Sequence, residues 1–178
     1  SITGLDLKAA VIDRCNGAAE KYGYDKLCFQ LGDINGYTPD GPVDMVITLH
    51  ACDTATDYAL FNAISWNVKL ILSVPCCQHE VNAQMHAEHL SLFTRYGLIQ
   101  ERMAALITDS IRANLLTYMG YSTQVVEFID MAHTPKNILL RARKAKLPES
   151  TKRQALEEVR TALEEFHIQP TLYKLLVK

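Results

Sequence analysis

The chain has 178 residues, the length of about one domain with a real core. Its 48% hydrophobic and 21% charged residues are ordinary for a soluble globular protein, and a net charge of −2 argues against a surface dominated by phosphate contacts. No apolar run approaches the roughly 20 residues that span a bilayer, the N-terminus has no signal-peptide pattern, and five cysteines without framework spacing indicate reduced thiols in a cytoplasmic protein. The first stretch, "SITGLDL", is β-branched and apolar and reads as a strand. A helix follows over "KAAVIDRCNGAAEKYGY", with Ala9, Ile12, Ala19 and Tyr22 on its buried face and Gly23 as terminator. "KLCFQLGDI" is a second strand, and Gly36, Pro39, Gly41 and Pro42 mark a turn-rich link after it. "VDMVITL" is a third strand, apolar enough to be buried on both faces. "DTATDYALFNAISW" is a helix capped by Asp53 or Thr54, and "VKLILSV" is a fourth strand.

From Glu80 to about Gly120 the pattern is helical, with a break at Tyr96-Gly97. "STQVVEFID" and "NILLRARK" form an antiparallel pair joined by "MAHTPK". "PESTKRQALEEVRTALEEF" is a surface helix whose apolar residues are Ala155, Leu156, Val159 and Leu163.

Strands alternating with helices predict an α/β fold around a mostly parallel sheet. Such sheets keep their ligands outside the carboxyl ends of the strands. Read in order, those ends are Asp6, Asp33, His50-Ala51-Cys52-Asp53 and Pro75-Cys76-Cys77-Gln78-His79. Chemically capable side chains at four successive strand ends exceed what composition leads one to expect.

The segment "ILSVPCCQHE" admits several chemistries. Cys52, Cys76, His79 and His50 are suitable zinc ligand types. Against zinc, no C-x-x-C pair occurs, and neighbouring side chains on an extended strand point to opposite faces, so Cys76 and Cys77 are not expected to face one metal. A nucleophilic cysteine would need something besides His79 to lower its pKa. Pocket lining is the favoured reading, with His50 or His79 as a general base. His86 and His89 read as surface residues, and "RARKAK", residues 141 to 146, as a solvated strand end that could also meet RNA phosphates.

With these elements in place, the sequence resembles a class I S-adenosylmethionine-dependent methyltransferase over residues 1 to about 144. The family's Rossmann-like sheet is mostly parallel and ends in an antiparallel hairpin, matched here by Ser122 to Lys144. The resemblance implies that Asp6 in "GLDLK" holds the cofactor's ribose, with Leu7 near the adenine, and that Asp33 with Ile34 in "LGDI" contacts the adenine. A carboxylate suits a ribose diol because it accepts two hydrogen bonds at once. "LHACDTATDYAL" and "VPCCQHE" further resemble the paired H-x-C-x-x-A-T-D and C-C-x-H motifs of one methyltransferase branch, shared with eukaryotic tRNA 2′-O-methyltransferases. That narrower likeness implies an N or O nucleophile on RNA. His50, Asp53 and His79 are then the catalytic candidates, and Cys52, Cys76, Cys77, Arg102 and Arg112 the substrate-pocket candidates.

No G-x-G-x-G occurs in the chain, and the family's first strand has no counterpart in it. The resemblance therefore implies a fragment lacking that strand, with a second copy or a preceding segment completing the sheet. The expected organisation is a truncated methyltransferase domain over 1–147, including a substrate-side helical insertion at 80–120, then a helical extension over 148–178. The alternative function is a non-catalytic binding module stabilised by a Cys/His metal site.

Overall fold

A computed structural model describes residues 1–49, 51–130, 132–134 and 137–177. Among these the chain forms two compact units, 1–40 and 41–178. The division differs from the expected one: residues 148–178 belong to the larger unit, because their apolar residues join its core.

The smaller unit is a β-α-β unit of β1 (Ile2–Asp6), α1 (Ala9–Lys21) and β2 (Leu27–Leu31). The two strands run parallel, with Asp6 opposite Leu31. Gly4 lies opposite Phe29, whose ring fills the space a Cβ at Gly4 would occupy. Asn16 of α1 pairs with both backbone groups of Phe29, at 2.8 and 2.9 Å. The helix buries Ile12 and Ala19 as the periodicity predicts, but Ala9 and Tyr22 are exposed, since they lie at its two frayed ends. Gly23 takes the positive φ (72°) that the terminator role requires.

The larger unit holds β3 (Met45–Leu49), α2 (Thr54–Ser65), β4 (Leu70–Val74), α3 (His79–Gln84), α4 (Ser91–Thr94), α5 (Gly97–Tyr118), β5 (Tyr121–Glu127), β6 (Ile138–Lys144), α6 (Glu149–Phe166) and α7 (Thr171–Leu176). Its sheet runs β3-β4-β6-β5, with β3 and β4 parallel and the β5–β6 hairpin antiparallel. This is an α/β, Rossmann-like arrangement with the expected C-terminal hairpin. In place of one continuous sheet the described residues form two, because no strand among them pairs with the second edge of β1 or of β3.

One exposed face corrects the reading of β3. Met45, Ile47 and Leu49 are 45%, 53% and 65% exposed, whereas β4, paired on both sides, buries Ile71, Ser73 and Val74. An apolar sequence shows that a strand can be buried, not that a neighbour covers it. The core itself forms where α2, α5 and α6 meet the sheet, around Leu60, Ile71, Leu115, Leu116, Tyr121 and Val159. Helix α5 buries Ala104, Thr108, Ile111, Arg112, Leu115 and Leu116, a stripe at helical spacing. Helix α6 buries Ala155, Leu156 and Val159 as expected, and α7 adds Leu172.

Tyr121 is fully buried and donates its hydroxyl to the Val68 carbonyl at 3.0 Å. Tyr121→Phe leaves that carbonyl without this donor and should lower the unfolding free energy by about 1 kcal/mol. Urea denaturation with an unchanged m-value checks this, and equal midpoints for the two proteins would refute it.

Candidate functional site

The parallel pairing of β3 and β4 places Leu49 opposite Val74. Residues two or three positions beyond these partners therefore come level in the loops that follow. Cys52 and Cys76 do so with their Sγ atoms 3.2 Å apart, and Cys76 and Cys77 with theirs 3.4 Å apart. All three sulfurs lie within 4.8 Å of one another. The expectation that Cys76 and Cys77 diverge is thus corrected. Both stand past the end of β4, in irregular backbone, where strand alternation no longer applies.

Burial pushes the Cys76 thiol up to about 12, and its contacts with Cys52 and Cys77 add to the effect. Burial likewise raises Cys77, and its contact with Cys52 adds to the effect. Thiols held protonated are poor nucleophiles, which leaves covalent catalysis without support here.

Asp53 sits at the N-cap position of α2 with a positive φ (53°, ψ −121°), a costly conformation for a residue with a Cβ. The expected capping of α2 by its side chain is absent. Both carboxylate oxygens instead accept from the Glu80 backbone N–H, at 3.1 and 3.2 Å, so Asp53 caps the start of α3. Its carbonyl accepts from Arg112 Nη2 at 2.9 Å. The same guanidinium donates to Asp57 at 2.7 Å and Asp109 at 3.1 Å, and Arg112 is only 1% exposed. Arg112 therefore does not line a substrate cleft. Its three nitrogens each donate one bond, and together they hold the Asp53 loop to α2 and α5. Arg102, nearer the start of α5, is exposed.

Glu80 extends this network toward the C-terminus, accepting from the Thr171 backbone N–H at 2.9 Å and from its hydroxyl at 2.8 Å. The tie explains why α7, which has no strong pattern of its own, docks beside α2.

A cavity of about 230 Å³ opens beside the cysteines, lined by Cys76, Cys77, Gln78, His79, Asn82 and Glu101. That volume holds one ring or functional group rather than a whole ligand. Gln78 is 7% exposed and donates to Asp109 at 3.2 Å, which fixes the orientation of its amide. Gln78 Oε1 and Asn82 Oδ1 are buried with no donor among the described residues. Sequence reasoning missed both, since a single Gln or Asn in a helical start carries no signal. His79 is exposed on the same lining, and His50 lies outside the described residues. A larger, more open hollow of about 780 Å³ near Arg160, His167 and Lys174 shares no residue with the strand ends. The strand ends remain the better candidate, because the buried acceptors and thiols gather there.

In the smaller unit, Asp6 is the last residue of β1 and Asp33 follows the carboxyl end of β2. Each uses one carboxylate oxygen locally: Asp6 accepts from the Lys8 N–H at 2.8 Å and Asp33 from the Asn35 N–H at 2.9 Å. Leu7 is exposed and Ile34 half-buried beside them.

Residues 1–84 match the profile of a family described as a methyltransferase domain, and this span contains both motif segments. The match supports a methyltransferase. No curated protein sequence matches the chain. Among solved structures, the YcgJ protein from Bacillus subtilis is similar with 10% identity over 82% of each chain and a TM-score of 0.44, a likeness too slight to argue from.

Proposed function

We infer that the chain acts as an S-adenosylmethionine-dependent methyltransferase on an N or O nucleophile, with RNA as the substrate class. The observation that carries the reading is that, within each of the two units, polar side chains stand at the carboxyl ends of parallel strands, in a chain whose first 84 residues match a methyltransferase-domain family. The RNA assignment rests on the resemblance of the two motif segments alone.

The residues present fit the adenosine end of such a cofactor. Asp6 keeps one carboxylate oxygen beyond its bond to Lys8, and Leu7 beside it is 70% exposed, an apolar surface suited to an adenine face. Asp33 and Ile34 would serve the base. When bound, the cofactor supplies a methyl group on a sulfonium, transferred in line to the nucleophile.

The chain's own part is to position that nucleophile and remove one proton. Gln78 Oε1 and Asn82 Oδ1 suit a group that donates hydrogen bonds, such as an amine or hydroxyl, since each would otherwise stay buried and unsatisfied. His79, exposed on the cavity lining, is a proton acceptor with access to solvent, and Asp53 stands in the loop before α2.

Calorimetry with S-adenosylhomocysteine on the full-length protein tests the cofactor assignment. Saturable binding is expected, weakened at least about tenfold in Asp6→Ala, because a charged hydrogen bond contributes roughly 1.5–3 kcal/mol. Binding unaffected by Asp6→Ala would remove that residue from the site, and no binding at all would sink the reading.

A further inference from the structure

We propose that Cys52, Cys76 and Cys77 form a three-thiolate site for a soft d10 cation, zinc(II) or copper(I). The inference stands apart from methyl transfer, since it rests on sulfur geometry and is read by metal binding alone.

Two observations carry it. The first is convergence: the in-register ends of β3 and β4 bring three sulfurs from two loops within 4.8 Å of one another. Thiolates around one zinc, each with a Zn–S bond of ~2.3 Å, stand roughly 3.8 Å apart in a tetrahedral arrangement. The observed 3.2 and 3.4 Å contacts need only open by about half an ångström to reach that spacing.

The second is rigidity. Both loops are held before any ion arrives: Arg112 grips the Asp53 carbonyl, and the Asp53 carboxylate grips the Glu80 N–H. A ligand set fixed by such outer contacts loses little order on binding.

A soft cation suits such a cluster, because it displaces the thiol protons and neutralises the charge left behind.

The binding step balances without redox change. Three S–H bonds are lost and three sulfur–metal bonds form, releasing about three protons to solvent for the first ion bound near neutral pH. Zinc with three protein ligands keeps a fourth position for water or another donor. His79 shares the lining of the cavity with Cys76 and Cys77 and is a candidate for that position.

The test uses the full chain, reduced and stripped of metal, titrated with zinc(II) and with copper(I) in separate arms. One equivalent retained after desalting, in either arm, is expected, with proton release seen in weakly buffered solution and affinity rising with pH. Cobalt(II) then reports ligand identity through its near-ultraviolet sulfur charge-transfer band, whose intensity in the unaltered protein counts thiolates. Each of Cys52→Ser, Cys76→Ser and Cys77→Ser should cut that band by about a third and weaken binding beyond the 10–100-fold typical of an outer-shell partner. Cys15→Ser and Cys28→Ser, in the smaller unit, should leave both unchanged. Failure to retain either ion, or a cobalt band from the unaltered protein without thiolate intensity, would overturn the proposal even if a Ser variant failed to fold. Copper retained without zinc supports it and identifies the cation, and zinc retained without copper does the same.

Discussion

Arg112→Met should lower the unfolding free energy by about 3–5 kcal/mol, because it removes the cationic partner of two buried carboxylates. That is a large share of the roughly 5–15 kcal/mol that stabilises a typical domain. In the intact protein Asp57 is almost fully buried, and burial outweighs the pull of Arg112, so its carboxyl sits above the usual carboxylate range. Nearby Glu80 raises it further, while the Leu172 N–H lowers it.

The sign of the pH effect follows. A carboxyl whose folded pKa exceeds its unfolded value favours folding most when protonated, and that contribution fades as pH rises through the folded pKa. Removing Arg112 deletes the main influence holding Asp57 down and moves the window upward. The variant should therefore be weakest near pH 7 and regain stability on acidification toward about pH 5. Thermal unfolding of both proteins across that range checks it. In an Asp57→Asn background the same Arg112→Met change should cost clearly less, since one of the stranded charges is gone. Equal costs in the two backgrounds would mean that the Arg112–Asp57 pair contributes nothing to stability.

Asp53→Asn is expected to reduce methyl transfer by roughly 10²–10⁴-fold if Asp53 takes the substrate proton, the usual scale for a positioned acid–base group. The substitution is chosen because Asn keeps one acceptor for the Glu80 N–H and so preserves much of the cap on α3. The lost charge at that helix start should cost about 1 kcal/mol of stability, small beside the kinetic effect. Initial rates on the full-length protein, measured beside a thermal melt, separate the two. A variant that melts early yet turns over normally at low temperature assigns Asp53 to positioning, with His79 left as proton acceptor. Normal turnover in the His50→Ala/Asp53→Asn double variant would remove the loop from catalysis altogether.

Much of this molecule was legible from periodicity and punctuation. The alternation of strands and helices, the break before Gly97 and the antiparallel hairpin after Gly120 all follow from local patterns. What stayed hidden depended on partners distant in sequence. Arg112 looks like any polar residue on an amphipathic helix, and only the fold reveals Asp57, 55 positions away, beneath it. Asp53 carries the sequence signature of a cap, and it is one, but for α3 rather than for the helix it precedes. The adjacent cysteines were read as strand residues, and the end of β4 at Val74 freed them from that geometry. The 148–178 segment was set apart because its pattern matched no expected element, yet Val159 and Leu172 are nearly fully buried in the main core.

The uncovered side of β3 has a practical consequence. Met45, Ile47 and Leu49 present three apolar side chains in a row on a strand whose second edge is unpaired among the described residues. The window "MVITL" has high β-propensity, no charge and no proline, so it has none of the usual safeguards of a sheet edge. Asp44 and Lys69, paired at 2.6 Å, supply charge only at one end of the strand. In concentrated solution this stretch is where chains would stick to one another, and a single lysine at Ile47 is the natural gatekeeper against precipitation.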